Sequence, residues 1–489
     1  MEDKKWFDGV TYAARDTDWW WGFDHSSREA EIKSVTDYFL RYTDRGITDF
    51  GISLFEQIST VPSEVFLWQG EKYKWTHEHG GIPAPKEYEK IAPLWKAYRE
   101  YGFDPIQICI DVMRSHGIRP WMTLRMNDAH NRTDAPENAT WFTNLYKDEF
   151  FFEQLEKGHV IGADYGYFRN CYDFSYGEIR EKYLAYVKES LDKYDFDGVD
   201  LDFQRELFCF DFRKHPDCHK IMTQFIRDVR SLLRAEEKRV GHVIRLLIRT
   251  HRSPVDSLAM GFDVKTWVEE GLVDAIAPSP RWECTDSSIP VRAWRKLVGK
   301  DVGLFPGFET LHLHYTSTTA DQIRAYAAAF FAEGADGLYF SNYVLSSARE
   351  PGRDETAWSI KKENCTKGLR RFTLTYQDIA FTDEPGYRPL PMKIEGKAEL
   401  PLEIGPVTGE NRVTLVVDFE GETAPTVSVG DIVNVHGTPC PSVVVTDEAG
   451  QKSVDLTPHT PLAYDLTGLA TDSPITLSFE GSGTIGYLN

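Results

Sequence analysis

The sequence predicts an α/β chain: a (β/α)8 barrel over residues 1–367, followed by an all-β sandwich over residues 368–489. Three observations carry that prediction. Short apolar runs alternate with helical stretches until eight strands are counted, over roughly the length a barrel with enlarged loops requires. Several of these runs end in clustered charged and amide side chains, as parallel barrel strands do where they face a mouth. Beyond about Gly368 the helical period disappears. Short alternating runs such as Val413–Asp418 and Ser442–Thr446, separated by Gly, Pro, Asp and Asn, take its place.

In chain order, the first strand is Val10–Asp16, and Ser26–Tyr42 follows as a helix, with Ser26 and Glu29 spaced as a capping box. Strand two is Asp49–Phe55. Helix Asp104–His116 has Pro105 in its first turn and Gly117 as its stop. Strand three, Arg119–Met126, precedes helix Gly177–Tyr194, whose Ile179, Tyr183, Tyr186, Val187 and Leu191 form one apolar stripe. Phe196–Phe203 is strand four and Lys220–Glu237 the next helix. Strands five to seven are Val243–Thr250, Val273–Ala277 and Val302–Pro306. Helix Thr319–Glu333 then leads into strand eight, Gly337–Ser341. The long connections Glu56–Ile118 and Asn127–Phe196 cap the C-terminal face, and the proline-bearing segment Asp383–Lys393 leads into the β domain.

The 489 residues suit two domains, and 41% hydrophobic content suits a sizeable core. Thirteen Trp and 23 Tyr serve equally as core filler and as platforms for sugar faces. A formal charge of −21 argues against nucleic acid, anionic membrane surfaces and polyanionic polymers as partners. It leaves room for a small anionic group in a locally basic pocket. The seven cysteines are scattered without a CxxC pair, which favours reduced thiols over a zinc ribbon or disulfide framework. The segment MEDKKWFDGV lacks an apolar leader core, so the expectation is a cytoplasmic, non-membrane protein. No cofactor is expected, and His312 with His314 make too short a motif to predict a metal. A homodimer through the β domain is left open.

Side chains alternate along strands, so Gly198, Asp200 and Asp202 share one face of strand four, and Val199, Leu201 and Phe203 the other. The apolar face meets the helices, which turns the aspartates inward. Buried charge needs partners. Strand three offers Arg125, with Thr123 and Asn127, and strand five offers Arg245, Arg249 and His251. Arg245 and Asp200 fit a structural ion-pair core as well as they fit function. Asp202, Arg205, Arg249 and His251 lie nearer the strand ends, where chemistry sits. His130 follows strand three, two residues after Asp128, and a nearby carboxylate can orient an imidazole and raise its basicity. Strand one ends in Asp16 and Asp18, either of which could be a protonated acid. Glu56, Arg281, Glu309 and Asn342 complete the strand-end set.

The first-strand aspartate, RMNDAH, FDGVDLDF and the SNY after strand eight together resemble a group of barrel glycoside hydrolases, the inverting exo-sialidases with a C-terminal β domain. That resemblance implies attack of water on a terminal sialic acid without a covalent enzyme intermediate. It implies His130 as the base, assisted by Asp128, and Asp16 as the acid. Arg125, Asn342 and a further arginine would hold the sugar carboxylate. Arg205, Arg249, Arg252 and Arg281 all lie near strand ends, and Arg suits a carboxylate. Asn127, Asp202 and His251 are further candidates for the substrate pocket. The barrel chitinases end a related DGxDxDxE run in a catalytic Glu, and here that position is Gln204. Two other readings are open. One is a hydrolase using a carboxylate pair, Asp202 with Glu309 or Glu56; the other is a non-catalytic carbohydrate-binding barrel.

Overall fold

The computed structural model describes residues 5–15, 23–43, 46–56, 58–68, 70–71, 92–129, 147–206, 208–281, 285, 289–309, 311–313, 316–341, 353–375, 389–446, 453–472 and 474–489. Its larger sheet is parallel and nine-stranded. The strands are β1 (Thr11–Arg15), β2 (Asp49–Glu56), β3 (Arg119–Arg125), β4 (Gly198–Asp202), β5 (Arg245–His251), β6 (Ala275–Ser279), β7 (Gly303–Leu304) and β8 (Gly307–Glu309). After a hairpin of β9 (Leu311–Leu313) and β10 (Thr316–Ser317), β11 (Leu338–Ser341) completes the sheet. The order β7-β6-β5-β4-β3-β2-β1-β11-β8 curls the sheet until its two edges are neighbours in the chain.

Each predicted strand is present, but the seventh is divided. β7 pairs with β6, β8 pairs with β11, and Phe305–Pro306 lies between them. Proline has no N–H to give a ladder. Across the junction, Phe305 N donates to Ile276 O and Tyr339 N donates to Pro306 O. The closed eight-stranded barrel expected from the sequence is therefore an open ladder curled on itself.

Helices pack outside this sheet: α1 (Arg28–Thr43), α2 (Pro105–Ser115), α3 (Gly177–Lys193), α4 (Cys218–Val240) and α5 (Ala320–Glu333). The Asp104 carboxylate caps α2 by accepting from Ile106 N and Gln107 N at 2.9 and 3.2 Å. The expected Ser26–Glu29 box at α1 is replaced by Ser27, whose Oγ accepts from Ala30 N at 3.1 Å. A reciprocal capping box forms instead at α5, between Thr319 and Gln322. The predicted α3 stripe is buried throughout, with the rings of Tyr183 and Tyr186 against Phe55 of β2. Burying each such side chain contributes about 1.5–3 kcal/mol.

The interior is built in layers. At the floor, Trp121 donates to Asp49 Oδ1 at 2.7 Å, and Arg119 Nη2 holds Asp49 Oδ2 at 2.6 Å. Trp6 covers this layer, stacked under the Arg245 guanidinium at 4.6 Å. Gly198 is required here, since a Cβ would lie 2.2 Å from the Trp121 ring. Arg245 thus belongs to the floor, on the far side from the strand ends.

The C-terminal region is one antiparallel sheet rather than the expected sandwich of two. Its strands are β12 (Leu374–Thr375), β13 (Met392–Leu402), β14 (Thr414–Glu420), β15 (Thr426–Val429), β16 (Ile432–Asn434) and β17 (Thr438–Pro439). β20 (Thr460–Asp465) and β21 (Ile475–Leu488) complete it, beside a small ribbon of β18 (Val444–Thr446) and β19 (Ser453–Asp455). β21 unites the sheet by pairing with β12, β13, β14 and β15 along its 14 residues. Where it passes β14, a Cβ on Gly483 would meet Glu420 O at 2.5 Å, so glycine permits the approach. Among the described residues no helix is long and apolar enough to cross a membrane.

Candidate active site

Register assembles the site. Arg125 of β3 pairs with Asp202 of β4, and Asp202 pairs with Arg249 of β5. On the other side Glu309 of β8 pairs with Ser341 of β11, and Ser341 with Ala14 of β1. All of these positions face inward at the C-terminal ends of the strands, as their alternation predicts.

Arg249 is the hub. Its Nη1 donates to Asp202 Oδ2 at 2.9 Å and its Nη2 to Glu309 Oε1 at 2.5 Å, with the Tyr339 ring 5.6 Å away. Asp202 Oδ1 also accepts from Gln204 N at 2.8 Å. Burial works against the Arg249 charge, but Asp202 and Glu309 more than offset it and hold its pKa above the usual arginine value. Burial, with the charge of Asp202 adding to it, pushes Glu309 up to about 7 despite Arg249 and Ser341. Glu309 is therefore a carboxyl that can hold a proton near neutrality.

One layer below sits Asp200. Tyr339, Tyr12 and Thr123 donate hydroxyls to its Oδ2 at 2.8, 3.0 and 3.2 Å. The two tyrosine rings stack at 4.8 Å. Asp200 Oδ1 has no hydrogen-bond partner among the described residues. Burial first and Asp202 second push this carboxyl up to about 7. Asp200 is a hydroxyl-bonded acid rather than a member of an ion-pair core.

A second cluster lies beside the first. Arg125 Nη1 donates to Asp128 Oδ2 at 3.2 Å, and Arg205 Nε stands 3.8 Å from the same oxygen. All three residues are buried. Arg281 donates to Glu206 Oε2 through Nη2 at 2.5 Å and Nε at 3.2 Å, between the rings of Tyr167 and Phe168. Burial, then Glu206, pushes the Tyr167 hydroxyl up to about 12. Thus Arg125, Arg205, Arg249 and Arg281 each have a carboxylate at hand: Asp128, Asp202, Glu206 or Glu309.

Of the residues singled out from sequence, Arg125, Asp128, Asp202, Arg205, Arg249, Arg281 and Glu309 come together at this end of the sheet. Asn127 is committed to the backbone: it donates to Tyr172 O and Phe208 O at 2.9 and 3.0 Å and accepts from Tyr172 N at 2.9 Å. It braces the loop that carries Asp128. His251 leans on Phe262, ring centroids 5.1 Å apart. Asp16, Asp18, His130, His314 and Asn342, and the side chains of Glu56 and His312, lie outside the described residues. Ala129, next to His130, is buried in a small cluster with Ile161, Phe168 and Cys171.

Sequence reasoning missed Glu206, Tyr12, Tyr339 and Tyr167. Tyr12 and Tyr339 share the inward parity of Ala14 and Ser341, a signal that was available. Glu206 and Tyr167 sit on long connections, where no period applies.

No family model matches the chain, and no curated protein matches it. Solved structures with some likeness include the chitinase ChiW from Paenibacillus sp. str. FPU-7, at 11% identity and TM-score 0.40, over 72% of this chain and 32% of that one. The galactosidase domain of AgaSK, an alpha-galactosidase-sucrose kinase, is 10% identical over 97% and 54% of the two chains, at TM-score 0.38. The maltogenic alpha-amylase AmyB from Thermotoga neapolitana is 10% identical over 96% and 99%, at TM-score 0.35. The chain thus spans about a third of the first and half of the second. Likeness at this level says nothing of chemistry, which rests on the site's own residues.

Proposed function

We propose that this chain is a glycoside hydrolase that releases a terminal acidic sugar, sialic acid, by single displacement. The observation supporting this reading is the gathering of Arg125 and Arg205 on the buried Asp128, beside the Asp202–Arg249–Glu309 chain at the strand ends. A guanidinium has five N–H donors, so one that serves a protein carboxylate can also receive the carboxylate of a sialoside. In this reading Arg125, Arg205 and Asn342 receive the sugar carboxylate, and Asp202 and Arg249 line the pocket beneath it. Asp128, fixed by the two arginines, orients the His130 imidazole. His130 takes a proton from water as its oxygen bonds to the anomeric carbon. The bond to the leaving oxygen breaks, and Asp16 supplies the proton that oxygen needs.

A second reading uses Glu309 and Asp202 as the carboxylate pair. The observation favouring it is Glu309 itself, pushed up to about 7 and therefore able to donate a proton near neutrality.

Hydrolysis of a fluorogenic sialoside and of a panel of neutral glycosides by wild type, His130→Ala and Glu309→Gln separates the two. The sialidase reading expects sialoside cleavage that falls by about 10²-fold or more in His130→Ala. Full activity in His130→Ala with loss in Glu309→Gln transfers the reaction to the carboxylate pair. Cleavage of no glycoside overturns both.

A further inference from the structure

Between the curled parallel sheet's outer helices and the C-terminal sheet lies a cavity of about 550 Å³. The two parts meet closely beside it. A Cβ on Gly405 would stand 2.8 Å from the Ala328 carbonyl carbon in α5, and Arg292 pairs with Glu403 at 2.9 Å. Leu374, Leu402, Leu415, Leu469, Ile475 and Leu477 form its walls. The cavity opens to solvent on one side, and its volume falls within the ~300–1,000 Å³ of small-molecule sites.

The lining also carries charge: Arg370, Arg371 and Arg412 belong to it, beside Leu369, which is 69% exposed, and Arg371 is paired with Asp321. Nη1 of Arg370 is buried and has no hydrogen-bond partner among the described residues. Burial pushes the pKa of this guanidinium down, so an anion beside it would relieve a real cost. The walls do not suit a sugar, which is held by flat rings; among the described residues lining the cavity, Phe372 is the one aromatic.

We propose that this cavity binds a single-chain amphiphile, with its aliphatic chain between the leucines and its anionic head at Arg370. The site is separate from the strand-end clusters, and the proposal is independent of the hydrolase reading.

Calorimetric titration of the full chain with dodecanoate, and with dodecanol as the uncharged control, tests it. Wild type is expected to bind dodecanoate saturably, one per chain. Arg370→Gln should weaken dodecanoate by about tenfold or more while leaving dodecanol nearly unchanged, because the lost contact is a charge-assisted one. Leu469→Trp, which fills the cavity, should abolish both. Absence of saturable dodecanoate binding to wild type overturns the proposal, and so does undiminished dodecanoate binding by Arg370→Gln. Should Leu469→Trp fail to fold, the comparison of Arg370→Gln between the two ligands still decides.

Discussion

Replacing Asp200 with asparagine separates burial from charge at the centre of the sheet. In the native chain this carboxyl is pushed from 3.8 up to about 7, by burial first and by Asp202 second. Its folded pKa lies above its unfolded one. The stability it contributes is therefore complete below about pH 3.8 and is lost as the pH rises towards 7. At about 1.36 kcal/mol per pH unit, most of that loss, about 3 kcal/mol, falls between about pH 4.5 and pH 8. The amide cannot ionise. It can still accept the Tyr12, Tyr339 and Thr123 hydroxyls, but it places an NH2 where Oδ1 has no partner, which costs about 1–3 kcal/mol at any pH. Urea unfolding of both proteins at several pH values, followed by tryptophan fluorescence, reads the difference. Glu333, also pushed up to about 7, is common to both proteins and cancels. Wild type should lose its advantage over Asp200→Asn as the pH rises, by about 3 kcal/mol. A difference that stays constant with pH would refute the assignment of Asp200 as a buried acid.

Other outcomes follow from the same geometry. Arg249→Met leaves Asp202 and Glu309 without their shared cation, and should cost about 3–5 kcal/mol at pH 8. The loss should shrink near pH 5, where Glu309 takes a proton; equal losses of Tm by calorimetry at both pH values would contradict this. Gly198→Ala drives a methyl into the Trp121 ring and should lower stability by about 1–3 kcal/mol in denaturant unfolding. Arg125→Lys keeps the charge but loses the planar fork, so the sialidase reading expects steady-state kinetics to show a raised KM with a smaller change in kcat.

Much of the architecture was legible because period two and period 3.6 are local signals. The inward parity of Asp200 and Asp202 and the buried stripe on α3 follow from spacing alone. Partnership was not legible. Sequence offered Arg245 and Asp200 as equivalent core ions, whereas the layers separate them: Arg245 lies over Trp6 at the floor, and Asp200 takes tyrosine hydroxyls. Asn127 read as a pocket residue because it shares a face with Arg125, but its amide matches the backbone of the neighbouring loops. Only tertiary proximity creates that match. The seventh strand was read as ending at Pro306, whereas the chain resumes pairing beyond that proline as β8, an edge that apolar character alone does not report. The second sheet was read as a sandwich because its strands are short; the long β21, which makes it one sheet, reads as an irregular Gly-rich run in sequence.

Single displacement on a sialoside leaves a stereochemical signature. Proton NMR of the full chain with sialyllactose, recorded from the first minutes, tests it most directly. Free sialic acid should appear first as the β anomer; the α anomer appearing first would rule single displacement out.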